Sequence, residues 1–207
     1  APAHISVEAP ARLHMGFMDL NGSLGRRFGS LGLTLEEICV RLHARKADEL
    51  TCKGEQSVRA EKYLRQLHEQ IKLPGGVHVD IEQVIPEHAG LGSGTQLAIA
   101  VGVAATKLYG LDFTPRELAS ILDRGNRSGI GVGAFEQGGF LVDGGRGSAD
   151  TLPPLISRLD FPAQWRVLLI MHQEMQGLHG GAEKNAFRDL PPFSNETAAH
   201  LSRLVVD

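Results

Sequence analysis

Apolar and polar residues alternate at Ile5 and Val7, again at Leu31, Leu33 and Leu35, and, after a one-residue slip at Glu36-Glu37, at Ile38, Val40 and Leu42. A period of two is that of a strand with one buried face. The slip reverses which parity is apolar, as a bulge or a tight turn would. Leu50 and Cys52 predict a short strand before the polar turn Lys53-Gly54-Glu55. From Ser57 the period lengthens. Leu64, Leu67 and Ile71 share one face of a helix that Pro74-Gly75-Gly76 ends. Val77, Val79 and Ile81 return to alternation.

Ser93 to Tyr109 reads as a helix of small residues, with Leu97, Val101 and Leu108 on one face; Ala98, Ala100, Ala104 and Ala105 let it approach a sheet closely. Thr114-Pro115-Arg116-Glu117 is a capping box with proline at the first helical position, and Leu118, Ile121 and Leu122 follow at helical spacing. Gly139 to Val142 predicts a short strand. Trp165 to Met171 is a nearly continuous apolar run of the kind found in central strands. A last amphipathic stretch runs to Val205-Val206-Asp207. The chain is therefore α+β. A boundary near Pro162 divides it into a first domain, residues 1–162, and residues 163–207, which read as the beginning of a second α+β unit cut short.

Composition changes this picture in one respect. An apolar share of 42% with 22% charged residues excludes wholesale disorder, and 207 residues accommodate one sizeable domain or one domain with part of another. The net charge of −3 supplies no field for nucleic acid. The 25 glycines, however, are about 12% of the chain against a usual share of about 7%, and nine of them lie between Gly125 and Gly147. Two cysteines, Cys39 and Cys52, make neither a disulfide framework nor zinc spacing, which points to a reducing cytoplasm. The nine histidines offer no His-x-x-x-His pair beside an acid, so packed or solvated histidines are the expectation. Residues 1–7 lack a secretory pattern. Ala89 to Thr106 is uncharged for 18 residues yet holds Ser93, Thr95, Gln96 and four glycines, as suits a buried helix of a soluble protein better than a membrane span.

The segment richest in chemistry is Pro86-Glu87-His88-Ala89-Gly90-Leu91-Gly92-Ser93-Gly94-Thr95-Gln96, between a predicted strand and a predicted helix. Glycines at 90, 92 and 94 let successive N–H groups converge, and the helix adds its free amides and positive dipole end. Such a cradle binds phosphate without net positive charge. Ser93 and Thr95 add hydroxyls for an anion or a magnesium ion. A glycine-rich connecting turn is the alternative. No Gly-Lys-Ser/Thr follows, so this is no Walker loop, and the last spacing of a dinucleotide fingerprint is missing.

Pro86-x-x-x-Gly90-Leu91-Gly92-Ser93-Gly94 resembles the second motif of the GHMP small-molecule kinases. The run from Pro10 through Arg12-Leu13-His14-Met15-Gly16 to Asp19-Leu20-Asn21-Gly22 resembles their first motif, and Ser128-Gly129-Ile130-Gly131 their Ser-Gly-x-Asp segment, with Gly131 where the kinases carry an aspartate base. The strings from Arg12 to Gly22, Arg127 to Gly133 and Phe135 to Gly145 resemble most closely one non-kinase branch, the β-ribofuranosylaminobenzene 5′-phosphate synthases of methanopterin biosynthesis. The resemblance implies a GHMP-type N-terminal domain and the start of a second domain, although the family's third glycine-rich motif is not found after Gly181. It implies a cytoplasmic enzyme, with a homodimer as one assembly it allows. The reaction would join phosphoribosyl pyrophosphate to 4-aminobenzoate or 4-hydroxybenzoate with loss of carbon dioxide and pyrophosphate, magnesium assisting. An ATP-dependent kinase and a non-catalytic binding module are the competing readings.

On this resemblance Gly90, Leu91, Gly92, Ser93, Gly94 and Thr95 would hold the diphosphate, and Arg12, Ser128, Gly129 and Gly131 would line the substrate site. Asp19 is a candidate for ribose hydroxyls or magnesium, beside the turn signal Asn21-Gly22 that gives it a structural alternative. His14 and Arg12 alternate with Leu13 and Met15, away from the core, where a solvated face is the alternative. Arg26, among Gly22, Gly25 and Gly29, could reach a carboxylate or the 5-phosphate. Glu87 and Glu136 are candidate magnesium carboxylates.

Overall fold

The computed structural model describes residues 2–87, 89–147, 152–171 and 185–207. The two predicted alternating stretches form long strands, β1 (His4–Met18) and β2 (Gly29–Ala47), paired antiparallel over most of their lengths. Register shifts between Pro10 and Ala11, whose partners are Cys39 and Leu35, so residues 36–38 of β2 are extruded where the sequence pattern slips. Proline has no N–H for the ladder, and a bulge tolerates that absence. A second shift falls between His14 and Gly16.

The other edge of β2 is shared. Its second half pairs with β4 (Gly76–Gln83) and its first half with β5 (Phe140–Asp143), which carries β6 (Leu155–Leu159). β3 (Thr51–Lys53) lies parallel to β4, joined to it by α1 (Ser57–Ile71). The sheet order β3-β4-β2-β5-β6, with β1 beside β2, makes β2 the hub.

Helices cover one face. Ala60, Tyr63, Leu64 and Leu67 of α1 and Leu97, Ala98, Val101, Ala104, Ala105 and Leu108 of α2 (Ser93–Leu108) bury against Val7, Ala9, Ala11, Leu42, Ala44, Val77 and Val79. The predicted capping box starts α3 (Pro115–Ile121), with both reciprocal bonds formed between Thr114 and Glu117. α4 (Ile130–Glu136) packs Ile130 and Ala134 on Leu141. The last amphipathic stretch is α5 (Asn195–Val206), capped by the Ser194 hydroxyl and lying against β1.

One predicted strand is absent. Residues 165–171 pair with no described strand, and Trp165, Leu168 and Ile170 are 61%, 84% and 89% exposed. A nearly continuous apolar run becomes a central strand only where neighbours cover both of its faces, and no described element does so here. Gly177 and its neighbours to Gly181 lie outside the described residues. Among the described residues no helix is long and apolar enough to cross a membrane.

Candidate functional site

The glycine loop leaves β4, turns through Gly90 (φ 75°) and Gly92 (φ 82°), and enters α2. Both angles lie in the left-handed region that glycine adopts without steric cost. The amides of Thr95 and Gln96 bond back to Gly92 O, leaving those of Ser93 and Gly94 ahead of the first helical bonds. β1 anchors the loop from one side. The Arg12 N–H donates to Leu91 O at 3.0 Å, and the Arg12 guanidinium donates to Gly90 O.

α1 supports the loop from the other side with a residue that the sequence pattern did not single out. A Cβ at Gly94 would stand 2.3 Å from Nη2 of Arg59. The same guanidinium donates through Nη1 to Glu87 Oε1 at 2.6 Å and through Nε to the Tyr63 hydroxyl at 3.2 Å. Glu87 is thus engaged in an ion pair at the cradle's rim. Glu136 is exposed at the last turn of α4. Among the described residues no three acidic, histidine or cysteine side chains converge.

The segment 128–131 forms the second wall, at the start of α4. Gln96, fully buried, donates from Nε2 to Gly131 O at 2.7 Å, and a Cβ at Gly131 would lie 3.1 Å from Thr95 Cγ2. Asp143, at the end of β5 and fully buried, holds this wall in place. Its Oδ2 accepts from Ser30 Oγ at 2.5 Å, Ser128 Oγ at 2.9 Å and the Gly129 N–H at 2.8 Å, while Oδ1 accepts from the Gly145 N–H at 2.9 Å. The next residues of that strand end receive Arg26, whose Nε and Nη2 donate to the carbonyls of Gly144 and Gly145 at 2.9 and 2.7 Å. Residues 12, 90–95, 128–131 and 26 therefore form one contiguous chain of contacts through Thr95, Gln96 and Asp143.

Asp19 stands apart from the cradle contacts. Its Oδ1 accepts from the Ser23 N–H and hydroxyl, its Oδ2 from the Leu24 N–H, and its own N–H donates to Ser202 Oγ of α5. In this state it shapes the turn. His14 accepts at Nδ1 from the Gly16 N–H (3.2 Å) and lies against Phe17, with ring centroids 4.3 Å apart. Burial and then the Arg12 charge lower its pKa from 6.5 to about 4, so the folded protein holds it neutral. Stability present above pH 6.5 is expected to be lost as pH falls toward 4, by about 3 kcal/mol from this group, because only the unfolded chain takes up the proton there. Denaturant unfolding of wild type and His14→Leu between pH 4 and 7 checks this; an equally steep acid loss in the variant would contradict it.

Asp143, Gln96 and Arg59 are the residues that pattern reading missed. The capping-type signal of a carboxylate before Gly144-Gly145 could have marked Asp143; no local signal marks Arg59.

Comparison with known proteins follows the same lines. Residues 58–139 match the family described as the GHMP kinases N terminal domain. The Beta-ribofuranosylphenol 5′-phosphate synthase of Archaeoglobus fulgidus is 36% identical over 98% of this chain and 68% of its own length, and that of Methanothermobacter thermautotrophicus is 34% identical over 97% and 68%. Among solved structures, 4-(cytidine 5′-diphospho)-2C-methyl-D-erythritol kinase superposes with a TM-score of 0.54 at 24% identity, covering 97% of this chain and 78% of that one; at that identity it shows the fold alone.

Proposed function

This chain belongs to the β-ribofuranosylphenol 5′-phosphate synthase family of enzymes, on a GHMP-kinase fold, and on that premise we propose that it is a decarboxylating phosphoribosyltransferase of methanopterin-type cofactor biosynthesis. Its substrates are phosphoribosyl pyrophosphate and a 4-substituted benzoate, 4-hydroxybenzoate or 4-aminobenzoate; its products are the β-ribofuranosyl phenol or aniline 5′-phosphate, carbon dioxide and pyrophosphate. The observation that carries this reading is Gly131. Where the kinase pattern places a base, this chain has a glycine packed against Thr95, beside an intact phosphate cradle.

The reaction needs no base. The bond from ribose C1 to the diphosphate oxygen breaks, its electron pair leaving with the diphosphate, and the ring carbon bearing the carboxylate bonds to C1. The bond to the carboxylate then breaks, its pair restores the aromatic ring, and carbon dioxide departs. No proton is removed at any step, so catalysis rests on positioning and on stabilising the leaving charge. The amides of residues 90–94 and the positive end of α2 meet the diphosphate. Arg12 and His14 flank it from β1, Ser128, Gly129 and Gly131 close the opposite wall, and Asp19 and Arg26 set the loops at its edge. Magnesium enters as part of the substrate, bound to the diphosphate, while Glu87 is engaged by Arg59 and Glu136 is exposed at the last turn of α4.

Incubating the protein with phosphoribosyl pyrophosphate, magnesium and carboxyl-labelled benzoate, without ATP, is expected to release labelled carbon dioxide and pyrophosphate in equal amounts. The phenol in the relatives' name favours the hydroxy acid as the better acceptor. ATP consumption with a hydroxyl substrate and no carbon dioxide would replace this reading with the kinase one.

A further inference from the structure

We infer that Arg59 is a diphosphate-binding residue of this site, held over the glycine loop by Glu87 until the anion takes its place. The assignment rests on the reading of residues 90–95 as a diphosphate cradle. Four observations carry it. The guanidinium fills the space that a side chain at Gly94 would need, so it lies directly on the loop at the first turn of α2. Its Nε is fixed by the Tyr63 hydroxyl and its Nη1 by Glu87, while Nη2 donates to no described residue. The side chain is 29% exposed and that of Glu87 41%, so both are within reach of a ligand. Arg12 reaches the same loop from β1, at Gly90 and Gly92, so two guanidiniums grip different points of one short segment.

The physical chemistry orders the exchange. The cradle amides are dipoles without net charge, and the chain as a whole is acidic, so the positive charge that a diphosphate requires has to be supplied beside the loop. A guanidinium presents N–H groups in a planar fork that matches phosphate oxygens two at a time, and the resulting bonds are charge-assisted. A half-exposed carboxylate holds such a group only weakly. A diphosphate carrying several negative charges, already fixed by the loop amides, outcompetes it. Glu87 is then a competitor for the guanidinium, where a magnesium ligand would be a helper. The two roles predict opposite signs for its removal.

Isothermal titration with inorganic pyrophosphate, with and without magnesium chloride, reads this directly. Arg59→Met is expected to weaken pyrophosphate binding at least tenfold, with Arg59→Lys between it and wild type. Glu87→Gln is expected to tighten binding two- to fivefold. The double variant Arg59→Met with Glu87→Gln is expected to bind as weakly as Arg59→Met, which separates loss of the guanidinium from repulsion by an unpaired Glu87. Binding by Arg59→Met within twofold of wild type, or weaker binding by Glu87→Gln, overturns the assignment while leaving the cradle in place. Failure of wild type to bind pyrophosphate overturns both the cradle reading and this one. Thermal unfolding of each variant separates a binding loss from misfolding, and Arg59→Lys retains a test if the methionine variant is unstable.

Discussion

Replacing Asp143 by alanine is expected to destabilise the protein by about 3–5 kcal/mol, and with it to abolish turnover. The carboxylate is fully buried and accepts four hydrogen bonds, two from hydroxyls and two from backbone amides. Removing a buried acceptor leaves its donors desolvated and unpaired, at about 1–3 kcal/mol each when no water enters, and breaking buried charged networks costs about 3–5 kcal/mol. Asparagine is the informative second variant. The hydroxyls of Ser30 and Ser128 can rotate to accept from its amide, but the N–H groups of Gly129 and Gly145 cannot, so it is expected to lose about half as much. Urea unfolding midpoints measure both. An alanine variant within about 1 kcal/mol of wild type would mean that the four bonds are replaced by water at little cost.

The second large effect concerns the position where kinases and this chain part. On the resemblance of residues 128–131 to the kinases' Ser-Gly-x-Asp segment, Gly131→Asp supplies the aspartate of that pattern, and is expected to unfold the site while producing no kinase. The added Cβ would stand 3.1 Å from Thr95 Cγ2 and 3.8 Å from Gln96 Nε2, in a buried position. Overpacking of this kind costs about 1–3 kcal/mol. A buried carboxylate adds several more unless it finds donors, and the nearest, Gln96 Nε2, is already bound to Gly131 O. Pairing the substitution with Thr95→Ala relieves the steric part alone, so the double variant is expected to recover about 1–2 kcal/mol. A stable Gly131→Asp protein that turns over ATP would show that this wall adapts and that its glycine is incidental.

Most of the fold was legible in the sequence because each element is written in a local code. Alternation marked β1, β2 and β4, the slip at Glu36-Glu37 marked the bulge, and Thr114-Pro115-Arg116-Glu117 marked the start of α3. The glycine loop was legible for the same reason, since closely spaced glycines between a strand and a helix are a local pattern. Residues 165–171 misled because an apolar run records what a segment could bury, and pairing depends on neighbours elsewhere in the chain. Arg59 and Asp143 were missed for a related reason. Arg59 sits among Glu61, Lys62 and Arg65 on a charged helix, and nothing in that spacing separates the one arginine that faces the loop from those that face water. Asp143 precedes two glycines and looks like a turn residue; its burial exists only because β5 pairs with β2, more than a hundred positions earlier. Glu87 reads in the sequence as a candidate metal carboxylate, and the fold places the Arg59 guanidinium beside it.

The main-chain bond from Arg12 to Leu91 gives the cradle a property that glycine-rich loops usually lack. A segment with glycines at 90, 92 and 94 has more conformational entropy to lose on binding than almost any other composition. Here the loop is stitched to β1 at its midpoint and to the same residue's side chain one position earlier. Its freedom is surrendered when the sheet forms, so an anion bound there, as proposed, would have no disordered loop to organise. Glycine supplies the shape of the cradle, and a neighbouring strand supplies its pre-organisation.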